Sequence, residues 1–425
     1  MKNNLAVKPI LLAAGAGERL RPFTSVLPKC LMPINGVPLL EYWLASIHEL
    51  GFEDALVNVC YRSADVINFL SRPRFSNWVT YVEESHLLGT AGTIRANQDF
   101  LRDSWSPDHI FLKDQEILDF QHKSPDGYNF VVANHCEKKE FHGVLGFISP
   151  SHYSNGEILS GDSIWLAIWK VDKDRAESNS LGFDLLNYIN DQFCPSSITA
   201  IGINRQVSLL YKLIGFQINT MNHWFIPSVS KSERRLIIGN VPSRSEVISS
   251  ESDYRVEIID VDSRDIEQLL IQKSGKDDAL YIAERYLKHP TYDYNLMGVY
   301  DFKNRLIGLI VGREVSAEGS KAFRVTDLWL EADSTFDLAQ TIQPFLHSHN
   351  YEYIDFLEYG WPSERLESMG LIKNKESLYV PHLFEPFVGE KIDVIIAYKS
   401  ENEFTCSKGD SDLDRPNIKE LMGVN

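Results

Sequence analysis

The sequence predicts an α/β protein, with a partial doubly wound parallel sheet at the front and two further α/β domains behind it. Three observations predict it. Residues 1 to about 100 alternate strand, helix, strand, helix, strand. After about residue 100 the strands come as antiparallel neighbours before helices return. A polar stretch at 229–252 then separates a second set of strands and helices running to about residue 400.

The elements follow in order. Residues 8–16 read as a buried strand entering a tight turn, and 38–51 (PLLEYWLASIHELG) have helical periodicity ending on glycine. A strand at 54–60, a helix at 63–71 and a strand at 79–83 complete a parallel unit with right-handed crossovers. Residues 128–134 and 143–149 read as an antiparallel pair. Strand 163–171 leads through a polar loop to helix 181–193, then strand 197–203 and helix 206–214. "QINTMNHWFIP" reads as one closing strand, and 229–252, rich in Ser, Arg, Lys and Glu, as a linker. Beyond it, strands are expected at 295–301, 305–314, 322–330 and 353–358, and helices at 263–273, 336–347 and 363–369. The residues after 400 are polar and expected to fray. "ITAIGINRQVSLLYKLIGF" and "YIDFLEYGWPSERLESMGL" share one strand–loop–helix–Gly layout. These boundaries give domains at 1–100, 101–228 and 253–400, a linker at 229–252 and a tail at 401–425.

Composition narrows the function. A net charge of −17 over 425 residues argues against nucleic-acid binding by bulk attraction. No apolar run approaches the roughly 20 residues of a membrane span. Five scattered cysteines without metal-ligand spacing, and an N-terminus lacking a secretory pattern, point to a reduced, cytoplasmic setting.

Two motifs carry chemistry. In "LLAAGAGERLRPFTSVLPKCLMPINGVPLLEY", a glycine turn after a strand lets backbone N–H groups approach phosphate, while Arg19 and Lys29 add positive charge. The string Gly15, Gly17, Arg19, Leu20, Pro22, Thr24, then Pro28, Lys29, Leu31, Pro33 resembles the opening motif of the sugar-1-phosphate nucleotidylyltransferases. "EESHLLGTAGTIRAN" resembles that family's base-contacting loop. The resemblance implies a nucleoside triphosphate or nucleotide-sugar held by Ala14, Gly15, Gly17, Gly89 and Thr90, with Arg19 and Lys29 binding the triphosphate and assisting transfer. Asp114, in "DHIFLKD", falls near the family's first magnesium ligand, so Mg2+ is expected only if this part is active. The family's sugar-phosphate half is not legible.

The second motif lies in 101–228. "SIWLAIWKVDKDRAESNSLGFDLLNYI" and "AIGINRQVSLLYKLIGF" resemble the acyl-coenzyme-A element and the terminal strand–helix of the GNAT acyltransferases. The resemblance implies an acetyl-CoA or other acyl-CoA cofactor, with Val171, Arg175, Gly182 and Asn204 holding it and Tyr211 giving a proton to the departing thiolate. Residues 253–400 look like a second, degenerate copy that shapes an acceptor pocket. Arg313, Glu314, Asp327, Asp355 and Glu358 stand near its strand ends, each either an acceptor contact or a solvated or ion-paired surface charge. No spacing selects a general base among Glu140, His142 and Asp162.

The two resemblances together give the expected fold class, a partial nucleotidyltransferase-like sheet followed by two GNAT-like α/β domains. The favoured expectation is acyl transfer to a small-molecule amino sugar or nucleotide-linked sugar. The alternatives are a sugar-1-phosphate nucleotidylyltransferase and a non-catalytic nucleotide-binding or assembly module.

Overall fold

The computed structural model describes residues 9–13, 20, 23–52, 54–59, 61–83, 110–125, 127–134, 141–156, 158–172, 180–242, 253–259, 279–331, 334, 336–400 and 402–416. The chain forms two compact units, residues 1–96 and 97–425.

The first unit is a three-stranded parallel sheet in the order β1 (Ile10–Leu12), β2 (Ala55–Val59), β3 (Val79–Glu83). Helices α1 (Leu39–Glu49) and α2 (Ser63–Leu70) connect them. Strand β2 buries Ala55, Val57 and Val59 on one face, and α1 sets Leu40, Leu44 and Ile47 into the same core, as strand and helix periods require.

The second unit holds two sheets. Six strands run in the order β8 (Gln217–Thr220), β16 (Ile395–Ser400), β7 (Ser197–Ile201), β6 (Ser163–Val171), β5 (Phe141–Ile148), β4 (Phe130–Asn134). The other sheet runs β10 (Arg255–Ile258), β11 (Tyr294–Tyr300), β12 (Leu306–Ala317), β13 (Ser320–Leu330), β14 (Tyr353–Tyr359), β9 (Asn222–Pro227), β15 (Ile372–Lys373). Off that path, β17 (Cys406–Ser407) pairs with β14.

The two sheets are related position by position. In each, one parallel pair stands among antiparallel neighbours: β6 with β7, and β13 with β14. In each, the antiparallel ladder that joins the pair to the preceding strand carries a register shift, between Leu166 and Trp169 of β6 against β5 and between Val311 and Gly312 of β12 against β13. The shared layout of "ITAIGINRQVSLLYKLIGF" and "YIDFLEYGWPSERLESMGL" is this relation in sequence. Strand β7, helix α6 (Arg205–Leu213) and β8 match β14, helix α9 (Ser363–Ser368) and β15. Both helices stop before a glycine with positive φ, Gly215 at +89° and Gly370 at +85°, where a side chain would be strained.

Each half then gives its last strand to the other sheet. The expected single closing strand breaks at Met221: Gln217–Thr220 stay with the first sheet, while Asn222–Pro227 pair with β14 in the second. In return β16 inserts between β7 and β8.

Two further expectations are corrected. The 229–252 stretch is not wholly a loose linker. Leu236 and Ile237 are buried, and the buried Glu352 carboxylate accepts from the backbone N–H groups of Arg235, Leu236 and Ile237 at 2.9, 2.8 and 2.8 Å. The tail does not fray at 406–414. Ser407, Lys408, Asp410, Ser411 and Asp414 are buried, because their polar groups meet partners inside the fold. Asp414 takes two hydrogen bonds from Arg313, at 3.0 and 2.9 Å, and one from the Tyr294 hydroxyl at 2.6 Å. The expected helix at 336–347 is two shorter ones, Leu338–Thr341 and Gln343–Ser348, and the expected helix at 263–273 lies outside the described residues.

Removing a charge from a buried pair strands its partner. Asp414→Asn is therefore expected to destabilise the protein by about 3 kcal/mol, the low end for such a loss, because Glu385 remains 3.6 Å from Arg313. Urea unfolding at neutral pH checks this; a midpoint equal to wild type would show that the pair adds nothing.

Candidate functional site

A parallel pair that parts leaves backbone N–H and C=O groups open along both inner edges, and an extended, amide-bearing arm can complete them as a strand would. Strands β6 and β7 pair only from Ser163–Ser197 to Leu166–Ala200. Past Leu166, β6 continues to Val171 with β5 as its strand partner among the described residues. Strands β13 and β14 part likewise after Val325–Phe356. Here the chain fills the opening itself. Ser407 and Cys406 pair with Glu358 and Tyr359, and the Gly409 N–H donates to the Thr326 carbonyl at 2.8 Å. One opening is plugged by the tail; the other has no strand partner among the described residues. The tail also reaches the first opening: the Ser411 hydroxyl lies 3.5 Å from the Leu166 carbonyl at its vertex, and Leu413 packs against the cluster that holds Ile201 at the end of β7.

Two of the four expected cofactor residues, Val171 and Gly182, meet beside the open pair. Val171 ends β6 and pairs with Gly143 of β5. Gly182 stands in the first turn of helix α5 (Leu181–Phe193), where an added Cβ would lie 3.4 Å from the Trp169 indole nitrogen and 3.6 Å from a Val171 methyl. Trp169 itself lies on the parted stretch of β6, and its ring meets Tyr211 edge-on at 5.4 Å. Tyr211 is buried, also against Phe216 at 5.1 Å, and burial pushes its phenol well above the usual range. A phenol so raised stays protonated through neutral pH, as a free tyrosine does, and is the weaker acid of the two. Asn204 has a different task from holding an arm with its carbonyl: its Oδ1 accepts from the Gln206 N–H at 2.8 Å and caps α6. Arg175 lies outside the described residues.

In the first unit, Ala14, Gly15, Gly17, Arg19, Gly89 and Thr90 lie outside the described residues. Lys29 is exposed at the start of the turn Lys29–Leu31, which buried Pro28 and Leu31 hold in place. Cys30 beside it is half-buried, and burial pushes its thiol up to about 11.

Asp114 is a correction. It ends no strand; it caps helix α3 (Gln115–His122) in the second unit, accepting from the N–H groups of Glu116 and Ile117 at 2.9 and 3.2 Å. Among the described residues no three His, Cys, Asp or Glu side chains cluster closely enough to hold a metal ion. The described residues thus do not fit a magnesium site at Asp114.

Of the five charged residues singled out in the second half, Arg313, Asp327, Asp355 and Glu358 are buried and Glu314 is exposed. Asp355 pairs with Arg324 at 2.6 Å and with His223 at 2.9 Å, and Arg324 holds its carboxyl down to about 2 against the cost of burial. Asp327 accepts from the hydroxyls of Ser407 and Tyr286, both at 2.6 Å. Glu358 accepts from Trp224 Nε1 at 2.8 Å, Asn222 at 3.0 Å and the Trp361 N–H at 3.0 Å. These are structural tasks. Of the base candidates, Asp162 closes a turn by accepting from the Leu159 N–H at 2.7 Å, His142 is buried, and Glu140 is not among the described residues. Sequence reasoning missed Tyr153, Arg285, His289 and Lys408; Arg285 and His289 share one segment, but Tyr153 and Lys408 come from distant parts of the chain.

Comparison with known proteins bears on the front of the chain. Residues 8–156 match the family model described as nucleotidyl transferase. Mannose-1-phosphate guanyltransferases of Saccharomyces cerevisiae and Debaryomyces hansenii are each 28% identical over 148 residues, 33% of this chain and 41% of theirs. The chain thus spans about two-fifths of the length of these curated relatives. The matched segment runs past the first unit, for β4 and β5 belong to the six-stranded sheet. Two solved structures align over more of the chain. One is a GCN5-related N-acetyltransferase from Anabaena variabilis, at 13% identity and TM-score 0.44, covering 73% of this chain and 71% of that one. The other is a conserved protein of unknown function from Enterococcus faecalis, probable N-acyltransferase, at 10% identity and TM-score 0.42, covering 72% and 70%. At such scores neither carries the fold assignment, which rests on strand order and register.

Lys408 gives this region a pH signature. Burial, with Arg324 and Arg313 adding repulsion and Asp414 opposing, brings its ammonium down to about 7. The unfolded chain keeps that proton to about pH 10.4. Between those values the unfolded state binds more protons, so stability rises with pH on this account. Lys408→Met is expected to lead wild type in urea midpoint at pH 6.5, a lead that closes toward about pH 10. A gap that stays constant would show that Lys408 keeps its proton in the fold.

Proposed function

We propose that residues 97–425 act as an acyl-CoA-dependent N-acyltransferase, with the open pair β6–β7 as the donor site. The observation that supports this most is the asymmetry between the two related sheets: the tail fills one opening, and the other has no strand partner among the described residues. A pantetheine arm has the length and amides to lie along β6, with Val171 and Gly182 at its sides. Tyr211 stands one ring from that edge and gives its proton to the departing thiolate. The acceptor amine is that of an amino sugar or nucleotide-linked sugar, a choice supported by the nucleotidyl transferase match in the same chain.

The front segment is read as a nucleotide-binding piece. Its match to guanyltransferases favours a second reading, sugar-1-phosphate nucleotidylyl transfer with Arg19 and Lys29 on the triphosphate. Against that reading, Asp114 is committed to a helix cap.

Phe in place of Tyr keeps the packing against Trp169 and Phe216 and removes the hydroxyl alone. Tyr211→Phe is expected to keep coenzyme A binding and thermal stability while losing about a hundred- to ten-thousandfold in acyl transfer. Free-thiol release from acetyl-CoA across a panel of amino sugars and nucleotide-linked sugars measures it. Unchanged turnover where chemistry is rate-limiting would remove Tyr211 from the mechanism.

For the front segment, Lys29→Ala is expected to weaken binding of a nucleoside triphosphate or nucleotide-sugar, since it deletes a cation directed at phosphate. Calorimetry decides this, and equal affinities would sink the assignment. Brisk magnesium-dependent pyrophosphate release from nucleoside triphosphate and sugar 1-phosphate would favour the second reading.

A further inference from the structure

Arg285 lies on the π-helical turn Ala283–Leu287 and is 1% exposed. A buried guanidinium normally meets a carboxylate. Among the described residues this one forms no ion pair, and aromatic rings surround it instead, Tyr153 at 5.0 Å, Tyr286 at 5.7 Å and Phe120 at 6.0 Å. Its Nη2 donates to the carbonyls of Gly409 and Ser411 at 3.2 and 3.0 Å. Its Nε and Nη1 have no hydrogen-bond partner.

Two more donors beside it are also unused. The Tyr153 ring lies 5.0 Å from the guanidinium carbon, and its buried hydroxyl has no partner. His289 and Arg285 share the ring of Phe120, at 4.9 and 6.0 Å. The Nδ1 of His289 accepts from the N–H groups of Thr291 and Tyr292 at 3.2 and 3.0 Å, which assigns the ring proton to Nε2. Burial, with Arg285 adding repulsion, holds His289 down to about 3, so it stays neutral. Its Nε2–H has no partner either. The unpaired groups can therefore all donate: two guanidinium N–H groups, a phenol O–H, which can also accept, and an imidazole N–H. Each costs free energy while unmet, and together they select an acceptor of negative charge.

The place is as informative as the chemistry. Ser411, whose carbonyl caps Arg285, also carries the hydroxyl that reaches the Leu166 carbonyl at the vertex of the open pair. Trp165 and Ala167, on either side of Leu166, pack into the same apolar cluster as Tyr153. The unused donors thus lie beside the end of the opening where the acyl group would be transferred.

We propose that Arg285, Tyr153 and His289 form a receptor for an oxyanion, phosphate or carboxylate, carried by the acceptor. Calling it the acceptor's anion rests on the acyltransferase reading; anion binding itself does not. The test uses the full chain, with inorganic phosphate and acetate as probes and sodium chloride at matched ionic strength as control, read by calorimetry and thermal unfolding. At least one probe is expected to raise Tm saturably beyond chloride; phosphate alone indicates a phosphorylated acceptor, acetate alone a carboxylated one. Tyr153→Phe, which deletes an unpartnered hydroxyl, is expected to leave the unliganded Tm unchanged or higher and to weaken that probe about tenfold. Arg285→Gln is expected to lose the response, and should it not fold, Tyr153→Phe still decides. Any phosphate held by the front segment is common to wild type and Tyr153→Phe and cancels in the comparison. Probes no better than chloride in wild type, or equal affinity in Tyr153→Phe, would mean that water fills the site and would overturn the proposal. Anion binding without thiol release from any acceptor would count against the acyltransferase reading alone.

Discussion

The second unit depends on a reciprocal exchange of strands. Strand β9 leaves the half that makes β8 and completes the sheet around β14, and β16 returns to lie between β7 and β8. A sheet that ended at β7 or β14 would present a row of unpaired backbone groups. Each half covers that edge with a strand of the other. Neither sheet is therefore complete without residues far away in the chain, and the apolar cluster of Ile201, Met221, Leu357 and Ile396 forms only when both strands have crossed. The compact unit spans 97–425 for this reason, although two sets of elements are visible along the sequence.

Exchange also brings the tail between the halves. From β16 the chain turns back through Cys406–Ser407, plugs the opening of one sheet, and at Ser411 reaches the vertex of the other. This places Lys408, Arg313 and Arg324 in the interior with Asp414 and Asp355. In so poor a solvent, charges hold position only where partners meet them, so the segment has one register: Asp414 on Arg313, Ser407 on Asp327, Gly409 on Thr326. The two related sheets thereby differ: one is closed by its own chain, and in the other the parted stretch of β6 has no second strand partner among the described residues.

Much of the element list was legible in the sequence. Helix Leu181–Phe193 runs over the expected residues, and α6 ends at the glycine expected to stop it. Local rules suffice there: spacing of apolar residues, a capping Asn, a glycine free to take positive φ. The resemblance of the front string to nucleotidylyltransferases agrees with the family match, and the repeated strand–helix–Gly layout corresponds to a real relation between two sheets. The site was legible only in part. Tyr211, Gly182 and Val171 gather around Trp169, which no motif singled out. Asp114 and Asn204 carry residue types suited to metal or ligand, but equally suited to capping a helix, and the cap is what each does.

By itself the sequence determined the strands and helices, their order, the glycine stops and the front motif, because each is set within a few neighbouring residues. Only the tertiary structure decided which sheet each closing strand joins, that SKGDSDLD is interior, and that Arg285, Tyr153 and His289, each with an unpartnered buried polar group, come together around Phe120. A polar segment reads as surface until its partners are known. Its burial is decided by hydrogen bonds between residues about a hundred positions apart, as for Asp414 with Arg313, and no local pattern records which donor will meet which acceptor.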